Sequence, residues 1–192
     1  MILEDIIGLD ESSGYSLEGS FTRDLVFSKY WLMRELAKIT PHISTMYVLG
    51  SWYGNLALFL NRYPIVEVDH IVNVETDPEF LSASQDMLKQ SGARNVEYML
   101  KDANDLDYRQ LGNNGAVVNT SLTDMKGRDW FTHIPRGTLV VLQARDHDPG
   151  EQFTSPEDIQ KKFPLDQVLY SGSLNLEDPE TEYSRFMTIG IK

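Results

Sequence analysis

The stretch Met46-Tyr47-Val48-Leu49-Gly50-Ser51-Trp52-Tyr53-Gly54 decides the fold, read together with Glu75. An apolar run, Met46 to Leu49, stops at Gly50. Gly54 then opens Asn55-Leu56-Ala57-Leu58-Phe59-Leu60, which can wind as a helix. About twenty residues further on, the apolar run Ile71-Val72-Asn73-Val74 ends in Glu75. Strand, glycine turn, helix, strand and terminal acid make the layout of a ribose-binding βαβ unit. Glycines let backbone approach a ligand closely, and a helix N-terminus offers unpaired N–H groups. A carboxylate at the second strand end accepts hydrogen bonds from ribose hydroxyls.

Working outward, 192 residues suffice for one well-buried domain. Hydrophobic content of 41% and charged content of 24% are ordinary for a globular chain. The 29 acidic against 17 basic residues oppose a broad nucleic-acid footprint, which needs a basic face. The absence of cysteine excludes disulfides, thiolate nucleophiles and cysteine zinc sites. The start, Met1-Ile2-Leu3-Glu4-Asp5, lacks the basic-then-apolar order of a signal peptide, and no apolar run reaches membrane-spanning length. A cytoplasmic protein without membrane association is expected.

Residues 8–22 are rich in Gly, Ser and acids, and read as an N-terminal loop or lid spanning 1–22. A helix fits Arg23 to Ile39, with Leu25, Leu32 and Leu36 on one row, and Pro41 ends it. Asp77-Pro78-Glu79 starts another helix, expected to bury Phe80, Leu81, Met87 and Leu88 and to stop at Gly92. Val96 to Leu100 reads as strand three, and Asp102 to Leu111 as a polar turn or short helix. Ala116-Val117-Val118 is the apolar run of a central parallel strand. Leu122 to Thr132 is expected to be partly helical, Thr138 to Leu142 to be strand five, and Ser155-Pro156-Glu157-Asp158 to open a helix. Val168-Leu169-Tyr170 and Phe186 to Ile191 make the last two strands. The Leu176-to-Thr181 connection is too short for a crossover helix, so that pair should be antiparallel.

This tally resembles the class I S-adenosylmethionine (SAM) dependent methyltransferase fold. The resemblance implies a Rossmann-like three-layer α/β sandwich over 23–192, with a seven-stranded, mostly parallel sheet and an antiparallel last strand. The chain also resembles small phage and bacterial proteins of that class, of unassigned substrate. It shares with them Ser28-Lys29-Tyr30-Trp31-Leu32, Leu49-Gly50-Ser51-Trp52-Tyr53-Gly54 and Arg185-Phe186-Met187-Thr188-Ile189-Gly190.

By that resemblance Gly50, Ser51, Trp52, Tyr53 and Gly54 cradle the amino-acid end and ribose of SAM. Val48 and Trp52 stand where the family has an acid and a third glycine. Glu75 is expected as the ribose ligand, flanked by Thr76 and Asp77; the alternative is a cap for the following helix, which Asp77 and Pro78 already start. Asp102-Ala103 matches the family's adenine-amine position, or is an ordinary helix cap. Asn119-Thr120-Ser121, after strand four, lies where the family holds its methyl acceptor. The related group often has Cys-Glu-His there, and this chain has Leu122-Thr123-Asp124. Gln143 to Asp148 follows strand five, and within it His147 offers either a general base or part of a solvated turn. Lys29 breaks an apolar row: it either snorkels to water or meets the SAM carboxylate. Tyr15, Phe21, Trp31, Trp52 and Tyr53 are aromatic candidates for enclosing a sulfonium. His42, His70 and His133 show no paired spacing, and no metal site is expected.

The combined expectation is a SAM-binding methyltransferase acting on a small molecule, with Asn119, Ser121 and His147 as catalytic candidates. Nucleic acid is disfavoured as a partner, and the oligomeric state is left open. A SAM-consuming lyase or cyclase, and a non-catalytic adenosyl-binding protein, are the competing readings on the same scaffold.

Overall fold

The computed structural model describes residues 18–125, 127–146, 153–178 and 181–192. Along them run α1 (Arg23–Ile39), β1 (His42–Leu49), α2 (Asn55–Arg62), β2 (Glu67–Glu75), α3 (Pro78–Gln90) and β3 (Val96–Leu100). Then come β4 (Gly115–Asn119), α4 (Asp129–His133), β5 (Leu139–Arg145), α5 (Pro156–Lys162), β6 (Gln167–Glu177) and β7 (Glu182–Ile191). Short 3-10 turns occupy Glu18–Ser20, Ala103–Asp105 and Tyr108–Leu111.

The seven strands form one sheet in the order β3-β2-β1-β4-β5-β7-β6. β1 to β5 pair in parallel, and β7 enters antiparallel between β5 and β6. Strand alternation sends successive residues to opposite faces. In β1, Met46 and Val48 join a core under α1, α2 and α3, while Tyr47 and Leu49 join a second core. That second core is closed by Tyr108, Leu111, Trp130, Phe131, Ile159 and Phe163. The expected three-layer sandwich is therefore present, with its antiparallel final strands.

α1 keeps its expected limits, and Gly92 ends α3 at φ 80°, a left-handed backbone that glycine adopts freely. Asp77 caps α3 by accepting Glu79 N–H at 2.8 Å.

Several local expectations are corrected. Gln143, Ala144 and Arg145 belong to β5, because β7 supplies their hydrogen-bonding partners. The Leu176-to-Thr181 loop shrinks, since β6 runs to Glu177 and β7 begins at Glu182. The stretch from Leu122 to Thr132 is helical in part, as expected, with α4 beginning at Asp129. Phe80 and Leu81 are half-buried, while Ala83 and Ser84 take the buried positions of α3. The lid proposed for 1–22 lies mostly outside the described residues, as do Tyr15 and His147. Among the described residues no helix is long and apolar enough to cross a membrane.

Candidate functional site

All five parallel strands point their carboxyl ends the same way, and α1 crosses beside them. A cleft of about 900 Å³ opens there. Its wall includes Gly50, Ser51, Trp52, Glu75, Thr76, Asp77, Asp102 and Ala103, so these sequence candidates converge. Lys29 and Ser121 also line it. Tyr53 and Gly54 shape the turn without lining the cleft wall.

The turn after β1 is held by the acid after β2. Glu75 Oε2 accepts the Trp52 backbone N–H at 2.9 Å, and Oε1 accepts Thr76 N–H at 2.9 Å. Trp52 has φ 53°, the one non-glycine left-handed residue among those described. The turn thus keeps a glycine-like backbone although Trp52 carries an indole. The indole packs against Tyr53 and Phe80, with ring centroids 5.8 Å away in both cases, and stays 44% exposed at the rim. Gly54, at φ 76°, is required for space as well. A Cβ there would lie 2.9 Å from Asn73 Nδ2 and closer still to Ser84 Oγ. Those two buried side chains hydrogen-bond each other at 3.1 Å.

Deeper in the cleft, Ser51 Oγ and Asn55 Oδ1 are buried without a hydrogen-bond partner. Buried polar atoms left unpaired are costly, so a wall carrying two of them suits a polar ligand. Asn55 Nδ2 donates to Ser20 O, which ties the Glu18–Ser20 turn to the cleft. Gly19 and Thr22 line the same wall. Asp102 caps its turn by accepting Asn104 N–H at 2.8 Å while facing the cleft, so the two roles weighed for it are compatible.

After β4 the candidates separate. Asn119 is fully buried: its Oδ1 accepts Ser121 N–H at 2.9 Å and its Nδ2 reaches Met125 Sδ at 2.9 Å. Asn119 braces the turn and is not part of the cleft wall. Ser121 reaches the cleft and donates to Gly50 O at 3.4 Å.

At the far end the cleft is charged. Lys29 Nζ donates to Thr120 Oγ1 at 2.8 Å. Protein surrounds Lys29, although the open cleft leaves it some solvent contact. Desolvation, with repulsion from Arg185, holds its ammonium well below the usual range. Arg185 is buried and donates from Nη2 to Thr120 O at 2.7 Å. Burial lowers its basicity too. Arg145 pairs with Asp178 at 3.0 Å, and its guanidinium lies 4.0 Å over the Tyr183 ring. Tyr183 Oη donates to Asp24 Oδ2 at 2.5 Å. Desolvation, reinforced by this bond, pushes the Tyr183 phenol up to about 12.

Sequence reading missed Asp24, Arg145 and Arg185 as site residues. Their signal was polarity in otherwise apolar elements. On the α1 face of β5, Val141, Gln143 and Arg145 grade from apolar to charged toward the carboxyl end. Phe21 and Trp31, weighed as sulfonium partners, serve packing: Phe21 stacks edgewise on Phe59, and Trp31 donates to Tyr170 Oη at 3.1 Å. His42, His70 and His133 make partnerships with Asp69, Glu97 and Asn104 O outside the cleft. Among the described residues no cluster of three or more metal-ligating side chains occurs.

The arrangement has many solved counterparts. An rRNA methylase from Streptococcus thermophilus superposes with TM-score 0.59 at 16% identity, covering 90% of this chain and 99% of that one. This is the class I methyltransferase fold. The N-terminal domain of EvdMO1 with S-adenosylhomocysteine (SAH) bound gives TM-score 0.61 at 16% identity, covering 92% and 84%. Magnesium protoporphyrin IX methyltransferase from Synechocystis PCC 6803, with SAM bound, gives 0.61 at 11%, covering 85% and 78%. No protein-family model and no curated protein matches the sequence.

Proposed function

We propose that this protein is a SAM-dependent methyltransferase whose acceptor is a small molecule. One observation carries the reading. The Glu75 carboxylate, the left-handed turn through Trp52, and Ser51 and Asn55, each with an orphaned buried oxygen, line one cleft in the class I fold. Those residues fit an adenosyl amino acid: Glu75 for the ribose hydroxyls, Ser51 and Asn55 for the amino-acid end, Asp102 for the adenine amine, and Lys29 for a carboxylate. When bound, SAM supplies an electrophilic methyl group on a sulfonium, with SAH as the leaving product.

The protein's own part is positioning. Asn119 fixes the backbone of Ser121, and Ser121 sits at the boundary between the glycine turn and the charged end. Asp24 lines the cleft and carries a buried, unpartnered Oδ1, an oxygen chemically able to accept a hydrogen bond. Support for a small acceptor comes from the surplus of acidic residues, 29 against 17, which disfavours a phosphate backbone.

Calorimetry with SAH tests the cofactor half. Binding with a raised melting temperature is expected, and no binding at millimolar ligand would sink the reading. Product analysis then tests the chemistry: SAH with a methylated acceptor supports transfer, whereas methylthioadenosine would assign a lyase.

A further inference from the structure

We propose that Arg145 and Arg185 form a subsite for an anionic group, carboxylate or phosphate, on the methyl acceptor; this rests on the function proposed above.

The sheet register is the first observation. Arg145 on β5 and Arg185 on β7 are directly paired across antiparallel strands. Paired residues share a face, and like charges placed opposite one another destabilise a sheet. Both side chains line the cleft. Asp178 pairs with Arg145; among the described residues no carboxylate comes within ion-pair distance of Arg185, whose charge is favoured only by the Tyr183 hydroxyl and the more distant Asp24 carboxylate. The second observation is unsatisfied donors. The Nε atoms of Arg145 and Arg185 are both buried and without a hydrogen-bond partner. Arg185 is only 7% exposed, so water does not reach it freely. Two guanidiniums lining one cleft offer planar forks that match the spread of oxyanion acceptors.

Location separates this subsite from the ribose wall, with Lys29, proposed for the cofactor carboxylate, standing between the two and sharing Thr120 with Arg185. Glu75 stands at the end of β2, and the sheet order places β1 and β4 between it and β5. The arginines therefore sit at the opposite side of the cleft from the ribose ligand. The recessed position also argues for a small anion. A nucleic-acid backbone needs cations spread over an exposed face, and here they converge inside a cleft.

A charged group held there does two things. It relieves the repulsion between the arginines, and it anchors the acceptor at one end so that its nucleophile faces Ser121 and Asp24.

The arginine Nε–H resonances of the full-length protein, saturated with SAH, provide the test. Inorganic phosphate and acetate are titrated separately, and a short single-stranded RNA is added in a third series. At least one small anion is expected to move both Nε signals with a dissociation constant on the order of millimolar. Phosphate and acetate compared tell which oxyanion is preferred. Arg145→Gln should weaken that binding by about tenfold, with Arg145→Lys intermediate because it keeps charge and loses the fork. Arg145 is the safer site, since its side chain keeps 31% exposure while Arg185 is buried. Arg185→Lys supplies the second variant.

Silence of both signals toward both anions overturns the proposal, as does unchanged anion affinity in Arg145→Gln. Movement on adding SAH alone, with no further response to anions, gives the arginines to the cofactor and also overturns it. A response to RNA but to neither small anion does the same. SAH binding is measured independently by calorimetry. SAH that binds while the arginines ignore anions removes the subsite alone. Anions that bind while SAH does not remove the cofactor reading alone.

Discussion

The two ends of the cleft are made of different materials. At the β1–β2 end, the cleft wall is mostly backbone: a left-handed turn, the first residues of α2, and one carboxylate that ties the turn down. Its residues fall between positions 50 and 77, with Asp102 nearby. At the β5–β7 end, recognition is all side chain. Asp24 comes from α1, Thr120 from the end of β4, and Arg145 and Arg185 from paired strands, while Lys29 of α1 stands between the two ends. Backbone recognition tolerates little change of shape. Side-chain recognition tolerates reshaping but carries the cost of burying charge. One end is therefore suited to an invariant ligand and the other to a variable one.

The largest test of this contrast is Gly54→Ala. Forcing a Cβ into the Asn73–Ser84 hydrogen bond, at a left-handed position, should destabilise the fold by about 2–4 kcal/mol. Denaturant unfolding measures it, and a loss below about 1 kcal/mol would show that the turn is softer than described. Next, Glu75→Ala should weaken SAH binding by about 1–3 kcal/mol in calorimetry, the penalty for stripping charge-assisted partners from ribose hydroxyls. A modest fall in melting temperature should accompany it, because Trp52 N–H loses its acceptor. Unchanged affinity would move the ligand away from this end.

A smaller effect belongs to Trp52. Trp31 and Trp130 are 5% and 0% exposed, against 44% for Trp52, so a fluorescence response to SAH should report Trp52. A blue shift that vanishes in Trp52→Phe, with affinity changed by about 0.5–1.5 kcal/mol, is expected. A shift that survives the substitution places the ligand elsewhere.

The smallest effect sharpens the charged end. Burial depresses Lys29 in the folded chain, so the unfolded chain holds that proton more tightly. Stability should therefore rise as pH climbs toward the ordinary lysine value of 10.5, and Lys29→Met should flatten the rise. An anion bound beside Lys29 favours its charged form. SAH binding at alkaline pH should then take up a fraction of a proton, up to about one, measured by calorimetry in buffers of different ionisation enthalpy. Equal uptake in Lys29→Met would show that another group titrates.

This difference in material also explains what the sequence made legible. The β1–β2 end is local: its spacing of apolar run, glycine and acid is written within about thirty residues, which is why Gly50 to Gly54 and Glu75 could be read directly. The far end depends on which strand lies beside which. Arg145 looked like a loop residue because Gln143-Ala144-Arg145 become strand only against Met187, Phe186 and Arg185. β6 carried a period-two signal in Tyr170, Gly172, Leu174 and Leu176, but small and polar neighbours hid it. Phe80 obeyed the helical row yet lines the cleft, packed edgewise against Trp52 and Tyr53.

The bond from Tyr183 to Asp24 joins positions 159 apart, and Arg185 reaches Thr120 across 65. A chain emerging from the ribosome has both glycines and Glu75 long before it has β7. The adenosyl end can assemble early, from neighbouring segments, while the charged end closes only when the last hairpin slides between β5 and solvent. On the proposed function, the acceptor end thus depends on the last strands being in place, while the cofactor end depends only on segments close together in sequence.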